Sequence, residues 1–182
     1  MIINKQDSFL LVIDLQEKLV PHISGINEII LNSKKLIKTF KILDIPIVVT
    51  EQEKLGSTIN EIKILFNNKF SPIRKASFSC FLEEEFKRKL EEIKRKTCII
   101  SGIEAHICVE QTALDLLNMG YNVHVVADAI GSRKEKDKEI ALQKLCRCGV
   151  LPTTTEMVMY ELIKTATSKK FKEILKLVKN EG

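Results

Sequence analysis

The sequence has no tryptophan, two tyrosines, four prolines and seven glycines in 182 residues. So little Pro and Gly leaves scant material for long flexible linkers, and residues 1–182 suit one domain with a real core. No apolar run reaches the ~20 residues a bilayer span requires, which excludes a membrane-spanning helix. Residues 1–11 lack the charged, then apolar, then small-residue order of a secretory leader, and no lipidation motif is present. The expected address is therefore cytoplasmic. The five cysteines, Cys80, Cys98, Cys108, Cys146 and Cys148, are odd in number and irregularly spaced, unlike a secreted disulfide framework. Cys146 and Cys148 alone fall short of the four ligands of a structural zinc site and read as helix or turn thiols.

Charge of neither sign dominates: 29 Lys and Arg stand against 24 Asp and Glu, a formal excess of +5. A basic excess raises the question of nucleic acid. The lysines are interleaved with acids, as in residues 83–89 and 133–138, and no nucleic-acid motif accompanies them. Such mixed runs coat solvated helices, so neither a nucleic-acid nor a membrane partner is expected.

What the chain does have is alternation. Residues 8–14, 45–50, 97–102 and 122–128 are continuous apolar runs, the pattern of strands covered on both faces in a parallel sheet. Between them Ile26, Ile29, Ile30, Ile37 and Phe40 fall at helical spacing, as do Leu82, Phe86, Leu90 and Ile93. A further helix is expected from about Cys108 to Asn118, stopped by Gly120, followed by helices over 139–146, 156–166 and 171–178. Strand alternating with helix means α/β, a mostly parallel, doubly wound sheet with right-handed crossovers.

In such a sheet ligands bind beyond the carboxyl ends of the strands. Asp14 ends the first run, Lys75 follows the short run 71–74, Cys108 opens a helix after the run 97–102, and Asp128 ends the last. A carboxylate, an amine and a thiol thus come to one edge from three segments. A thiol becomes a nucleophile as its thiolate, favoured by a helix N-terminus at Cys108 and a cation at Lys75. Asp14 can hold the amine and shuttle a proton. On this reasoning Cys108 has a depressed pKa.

These residues carry a resemblance. The stretches around Asp14 (residues 11–16), Lys75 (74–79) and Cys108 (101–109), with 111–116, 125–133 and 154–158, look like the isochorismatase-like cysteine hydrolase superfamily. The resemblance runs in order over nearly the whole chain. Residues 50–52 and 56–58 bring it closer to the compact isochorismatase-domain-containing branch. It implies a three-layer αβα sandwich and an Asp14–Lys75–Cys108 triad. It also implies a non-proline cis peptide before the nucleophile, here Ile103–Glu104, with the backbone N–H groups of Glu104 and Cys108 forming an oxyanion hole. Gln16, Glu51 and Phe78 are the expected pocket residues, with specificity in the loops 51–58, 77–81 and 132–155.

The chain departs from the related nicotinamidases, which hold a metal through an Asp and two His near the second strand's loop. Here that loop reads Glu51-Gln52-Glu53-Lys54-Leu55-Gly56, and no His occurs between His22 and His106. No metal and no cofactor is expected, and His106 and His124 are expected to be structural. Two classes follow: a metal-independent cysteine hydrolase acting on a small amide, carbamoyl or related metabolite, or a binding or scaffold protein of the same fold. A thiol redox role lacks a second Cys close in sequence to Cys108. Segments 156–166 and 171–178 carry more apolar surface than two short helices need. With the self-association common in the superfamily, this gives the expectation of a homo-oligomer, dimer or larger.

Overall fold

A computed structural model describes residues 2–179. Its centre is a six-stranded, wholly parallel sheet in the order β3-β2-β1-β4-β5-β6. The strands are β1 (Ser8–Ile13), β2 (Ile47–Gln52), β3 (Ile73–Lys75), β4 (Thr97–Ile103), β5 (Asn122–Gly131) and β6 (Leu151–Thr153). Seven α-helices accompany it among the described residues: α1 (Ile26–Ile42), α2 (Asn60–Lys63), α3 (Glu84–Ile93), α4 (Glu110–Asn118), α5 (Glu135–Cys148), α6 (Thr155–Ile163) and α7 (Phe171–Val178). None is long and apolar enough to cross a membrane.

The continuous apolar runs are explained by cover on both faces. Phe9, Leu11 and Ile13 of β1 join a core with Phe86 and Leu90 of α3 and Ala113 and Leu116 of α4. Leu10 and Val12, pointing the other way, join one with Leu36, Ile37 and Phe40 of α1 and Val158 and Leu162 of α6. Successive side chains of one strand thus feed opposite layers, which is the three-layer αβα sandwich.

Several boundaries differ from the sequence reading. β3 and β6 have three residues each, too few for a periodic signal, so Lys75 is the last residue of a strand rather than the start of a loop. Within β3 the side chains alternate: Ile73 and Lys75 are buried and Arg74 is exposed. β5 runs past Asp128 to Gly131, but its register with β4 jumps from Ile100–Val125 to Gly102–Ile130. Asp128 lies in that irregular stretch and accepts hydrogen bonds from Thr155 N at 2.8 Å and Thr155 Oγ1 at 3.0 Å, fixing the start of α6. It takes no part with Asp14.

Most of the apolar surplus at the C-terminal end is used within the chain. Met159 and Ile163 of α6 pack with Ile174 and Leu177 of α7, and Ile42, Phe171 and Val178 close around them. Met157 and Tyr160 remain 49% and 39% exposed. The surplus that argued for self-association is thus reduced to those two side chains.

Candidate active site

β1 and β4 are adjacent, and the chain winds outward from them in opposite directions, so the crevice between their carboxyl ends is the switch point of the sheet. Asp14 leaves β1 with φ 51°, a left-handed conformation that Asp tolerates better than most residues. Beside it Gly102 of β4 has φ +118°, and a Cβ there would lie 2.0 Å from the carbonyl oxygen of Ile13. Only glycine lets the two strands close this tightly ahead of the turn that carries Cys108.

Lys75 and Asp14 face each other across the end of β2. Lys75 Nζ lies 2.7 Å from Asp14 Oδ2, with both side chains buried. The same ammonium donates to Gln52 Oε1 at 2.7 Å and to the carbonyl oxygens of Ser77 and Phe78 at 3.2 Å each. Burial opposes its charge, the Asp14 carboxylate beside it favours it, and the Lys75 pKa is raised. The other Asp14 oxygen, Oδ1, accepts the hydroxyl of Thr50 at 2.7 Å.

The peptide Ile103–Glu104 is cis. After it the chain makes a wide π-type turn over Ala105–Val109 before α4 begins. The Glu104 carbonyl accepts from Ile107 N and Val109 N at 3.1 and 3.2 Å. Cys108 therefore sits inside this turn rather than opening the helix, and is 6% exposed. Its pKa moves opposite to the sequence expectation. Burial and then the Asp14 carboxylate push it up to about 12, and Lys75 only partly offsets them. A helix terminus and one cation do not overcome burial beside a carboxylate.

The remaining candidates have other partners. Gln16 is fully buried. Its amide nitrogen donates to Gln52 O at 2.9 Å and Gly56 O at 2.7 Å, and its carbonyl accepts Gln52 N at 2.7 Å. With its amide engaged at both ends, Gln16 clamps the loop after β2. Glu51 accepts Thr58 N at 2.7 Å and Thr58 Oγ1 at 2.9 Å. It borders an open cleft of about 610 Å³ shared with Gln52 and Arg74, whose wall includes none of Asp14, Lys75 and Cys108. Phe78 meets Lys75 through its backbone carbonyl, while its side chain is 54% exposed. Glu104 is 4% exposed and its carboxylate pairs with Arg133 Nε at 3.0 Å. His106 Nδ1 is 2.8 Å from Ser132 Oγ, a second tie between the Cys108 turn and the loop after β5.

Three features of the site were invisible in sequence. Gln52 completes the Lys75 cradle, and Thr50 holds Asp14. Cys80, distant in sequence from Cys108, is fully buried with its sulfur 4.0 Å from Thr50 Oγ1. Burial raises its pKa to about 12 as well. No His, Cys, Asp or Glu cluster of three or more is arranged for a metal ion among the described residues.

Parallel α/β architecture with a buried carboxylate, ammonium and thiol at the switch point defines the class. The isochorismatase domain family matches residues 8–157, and the chain belongs to that family. It is 38% identical over 169 residues to isochorismatase domain-containing protein 1 of Danio rerio, covering 91% of this chain and 59% of that protein's length. Isochorismatase family protein 1A of Dictyostelium discoideum is 36% identical over 175 residues, 93% of this chain and 85% of that one. The chain thus spans less than two thirds of the fish protein's length and most of the amoebal one's. Among solved structures, the MAR1 ribonuclease of Caenorhabditis elegans superposes with a TM-score of 0.92 at 39% identity, covering 98% of this chain and 92% of that one. The YcaC gene product of Escherichia coli, described as an octameric hydrolase of unknown specificity, shares the fold with a TM-score of 0.91 at 23% identity, covering 100% and 91%.

Proposed function

We propose that the chain is a metal-independent cysteine hydrolase of small amides, carbamoyl compounds or related metabolites, folded as one domain and working in the cytoplasm. The observation that carries this is the buried Lys75–Asp14 pair at 2.7 Å, with the buried Cys108 thiol near enough for that carboxylate and ammonium to act on its ionisation. The loop 51–56 has no His, and its Gln52 is committed to Lys75.

With a thiol pKa near 12, resting Cys108 is neutral. In the proposed cycle its sulfur attacks the substrate carbonyl while the proton passes to Asp14. The oxyanion is received by the N–H groups of Glu104 and Cys108. As the C–N bond breaks, Asp14 returns the proton to the leaving nitrogen, giving an acyl thioester and a free amine or ammonia. Water, deprotonated by Asp14, then attacks the thioester and releases the acid, and the sulfur takes the proton back. Lys75 holds the Asp14 carboxylate throughout. Screening small amides and carbamates with wild type and Cys108→Ala tests the reading. A fold that binds but turns nothing over would give identical results for both proteins.

A second reading comes from the worm protein, which is described as a ribonuclease and is 39% identical. Incubating labelled RNA with wild type and Cys108→Ala decides between the two. Cleavage by both proteins would favour an RNase activity independent of the thiol. Self-association also belongs to the proposal, through the exposed Met157 and Tyr160 of α6. Light scattering that returns the 20.7 kDa chain mass would refute it.

A further inference from the structure

We propose that Thr50 is a positioning residue for Asp14, an inference that rests on the hydrolase reading above. Thr50 is fully buried and lies on the ladder between β1 and β2, paired with Ile13, the residue before Asp14. Its hydroxyl donates to Asp14 Oδ1 at 2.7 Å, while Lys75 stands 2.7 Å from Oδ2. The carboxylate is thus held at both ends, one by a neutral donor on a rigid strand and one by a cation.

The hydroxyl has its own support. The Cys80 sulfur lies 4.0 Å from Thr50 Oγ1 in donor geometry. Burial raises the Cys80 pKa to about 12, so it stays a thiol and donor at neutral pH. A hydroxyl that accepts from Cys80 keeps its hydrogen for Asp14. Cys80 and Thr50 form a short relay ending on the base.

The relay matters because Cys108 is not ionised at rest. Burial and the Asp14 carboxylate both raise its pKa, so the thiol form dominates at neutral pH. Attack must deliver the proton to the carboxylate as the sulfur–carbon bond forms, which requires a correctly turned acceptor oxygen. Without Thr50 the carboxylate keeps Lys75 but loses the contact that fixes its plane.

The test uses acrylamide, a neutral amide electrophile that reports on the thiol without a known substrate. The thiol adds across its C=C bond: sulfur bonds the terminal carbon, and the proton goes to Asp14 and then to the carbon next to the carbonyl, with no leaving group. The labelling rate of the Cys108 peptide is followed by mass spectrometry from pH 6 to 9. In wild type the proton stays within the Asp14–Cys108 pair, so the rate is nearly flat with pH. Asp14→Asn labels only through thiolate formed by loss of a proton to solvent, so its rate climbs with pH until the thiol, no longer raised by the carboxylate, is ionised. Thr50→Val, nearly isosteric, loses about tenfold of the flat component and acquires the climbing one. Thr50→Ser, which keeps the hydroxyl, stays flat even if it melts earlier. If Thr50→Val does not fold, Thr50→Ala must give the climbing profile. A merely structural Thr50 would move melting temperatures and leave these slopes alone. A flat, wild-type rate in the folded Val or Ala variant overturns the proposal and leaves Asp14 as base. A wild-type rate that itself climbs with pH as Asp14→Asn does removes Asp14 as base and Thr50's role with it.

Discussion

Lys75 Nζ and Asp14 Oδ2 lie 2.7 Å apart, yet they come from strands that are not neighbours: β2 runs between β1 and β3. The pair reaches over the end of β2, and two residues there, Thr50 and Gln52, hold one partner each. Residues two apart on a strand point the same way, so the spacing of these supports is set by the strand itself. Because both charges are buried, their mutual dependence is strong.

Removing one charge should therefore cost more than removing both. Lys75→Met leaves a buried carboxylate without its cation, and about 3–5 kcal/mol of stability is expected to go with it. In Asp14→Asn/Lys75→Met neither charge remains, and the loss should fall well short of the sum of the single losses. Urea unfolding of the two single variants and the double variant measures the coupling.

Gly102→Ala should be among the most damaging single-methyl additions in the chain. The new Cβ would meet the Ile13 carbonyl at 2.0 Å, with the backbone already at φ +118°. A clash with backbone is not relieved by a rotamer change, so a loss of about 3 kcal/mol or more is expected. Thermal unfolding beside Gly25→Ala, whose Cβ would meet nothing within 4 Å, isolates the close approach from the common cost of a positive φ.

Gln16→Ala should free the loop after β2. Three partly buried hydrogen bonds disappear, and Gln52 N loses its acceptor. About 2 kcal/mol of stability and much faster amide exchange at Gln52 are expected. Hydrogen exchange at that amide is the direct reading, and unchanged protection would show that another group holds the loop.

His124 gives a pH dependence with a definite sign. The ring is 3% exposed on β5, and burial lowers its pKa, partly offset by the charge of Glu161. The unfolded chain binds the proton more readily, so the His124 contribution is present above its unfolded pKa of about 6.5 and is lost as pH falls through the lower folded value. Denaturant unfolding at pH 7.5 and 5.5 should show a smaller loss on acidification in His124→Gln than in wild type.

β1, β2, β4 and β5 were legible because strands buried on both faces must be apolar throughout. The αβα layering followed from the resemblance and from that same burial. Asp14, Lys75 and Cys108 could be singled out because each lies at or just after a strand end. Register was not legible, and Thr50 and Gln52 matter only through register: one pairs beside Asp14 and the other opposite Lys75. Gln16 looked like a pocket residue because sequence cannot tell an amide aimed at a ligand from one spent on a neighbouring loop. The direction of the Cys108 pKa was misread for a similar reason. Spacing exposes the helix and the lysine, but burial and the nearness of the Asp14 charge exist only once the chain is folded.

The central claim is that Cys108 is the nucleophile of an amide-type hydrolase. The most direct measurement is rapid acid quench of wild-type protein during turnover of a small amide or carbamate found by screening, followed by mass analysis of the Cys108 peptide. The account predicts an acyl group on Cys108 as a thioester, and neither adduct nor turnover in Cys108→Ala. Turnover that survives in Cys108→Ala would contradict it.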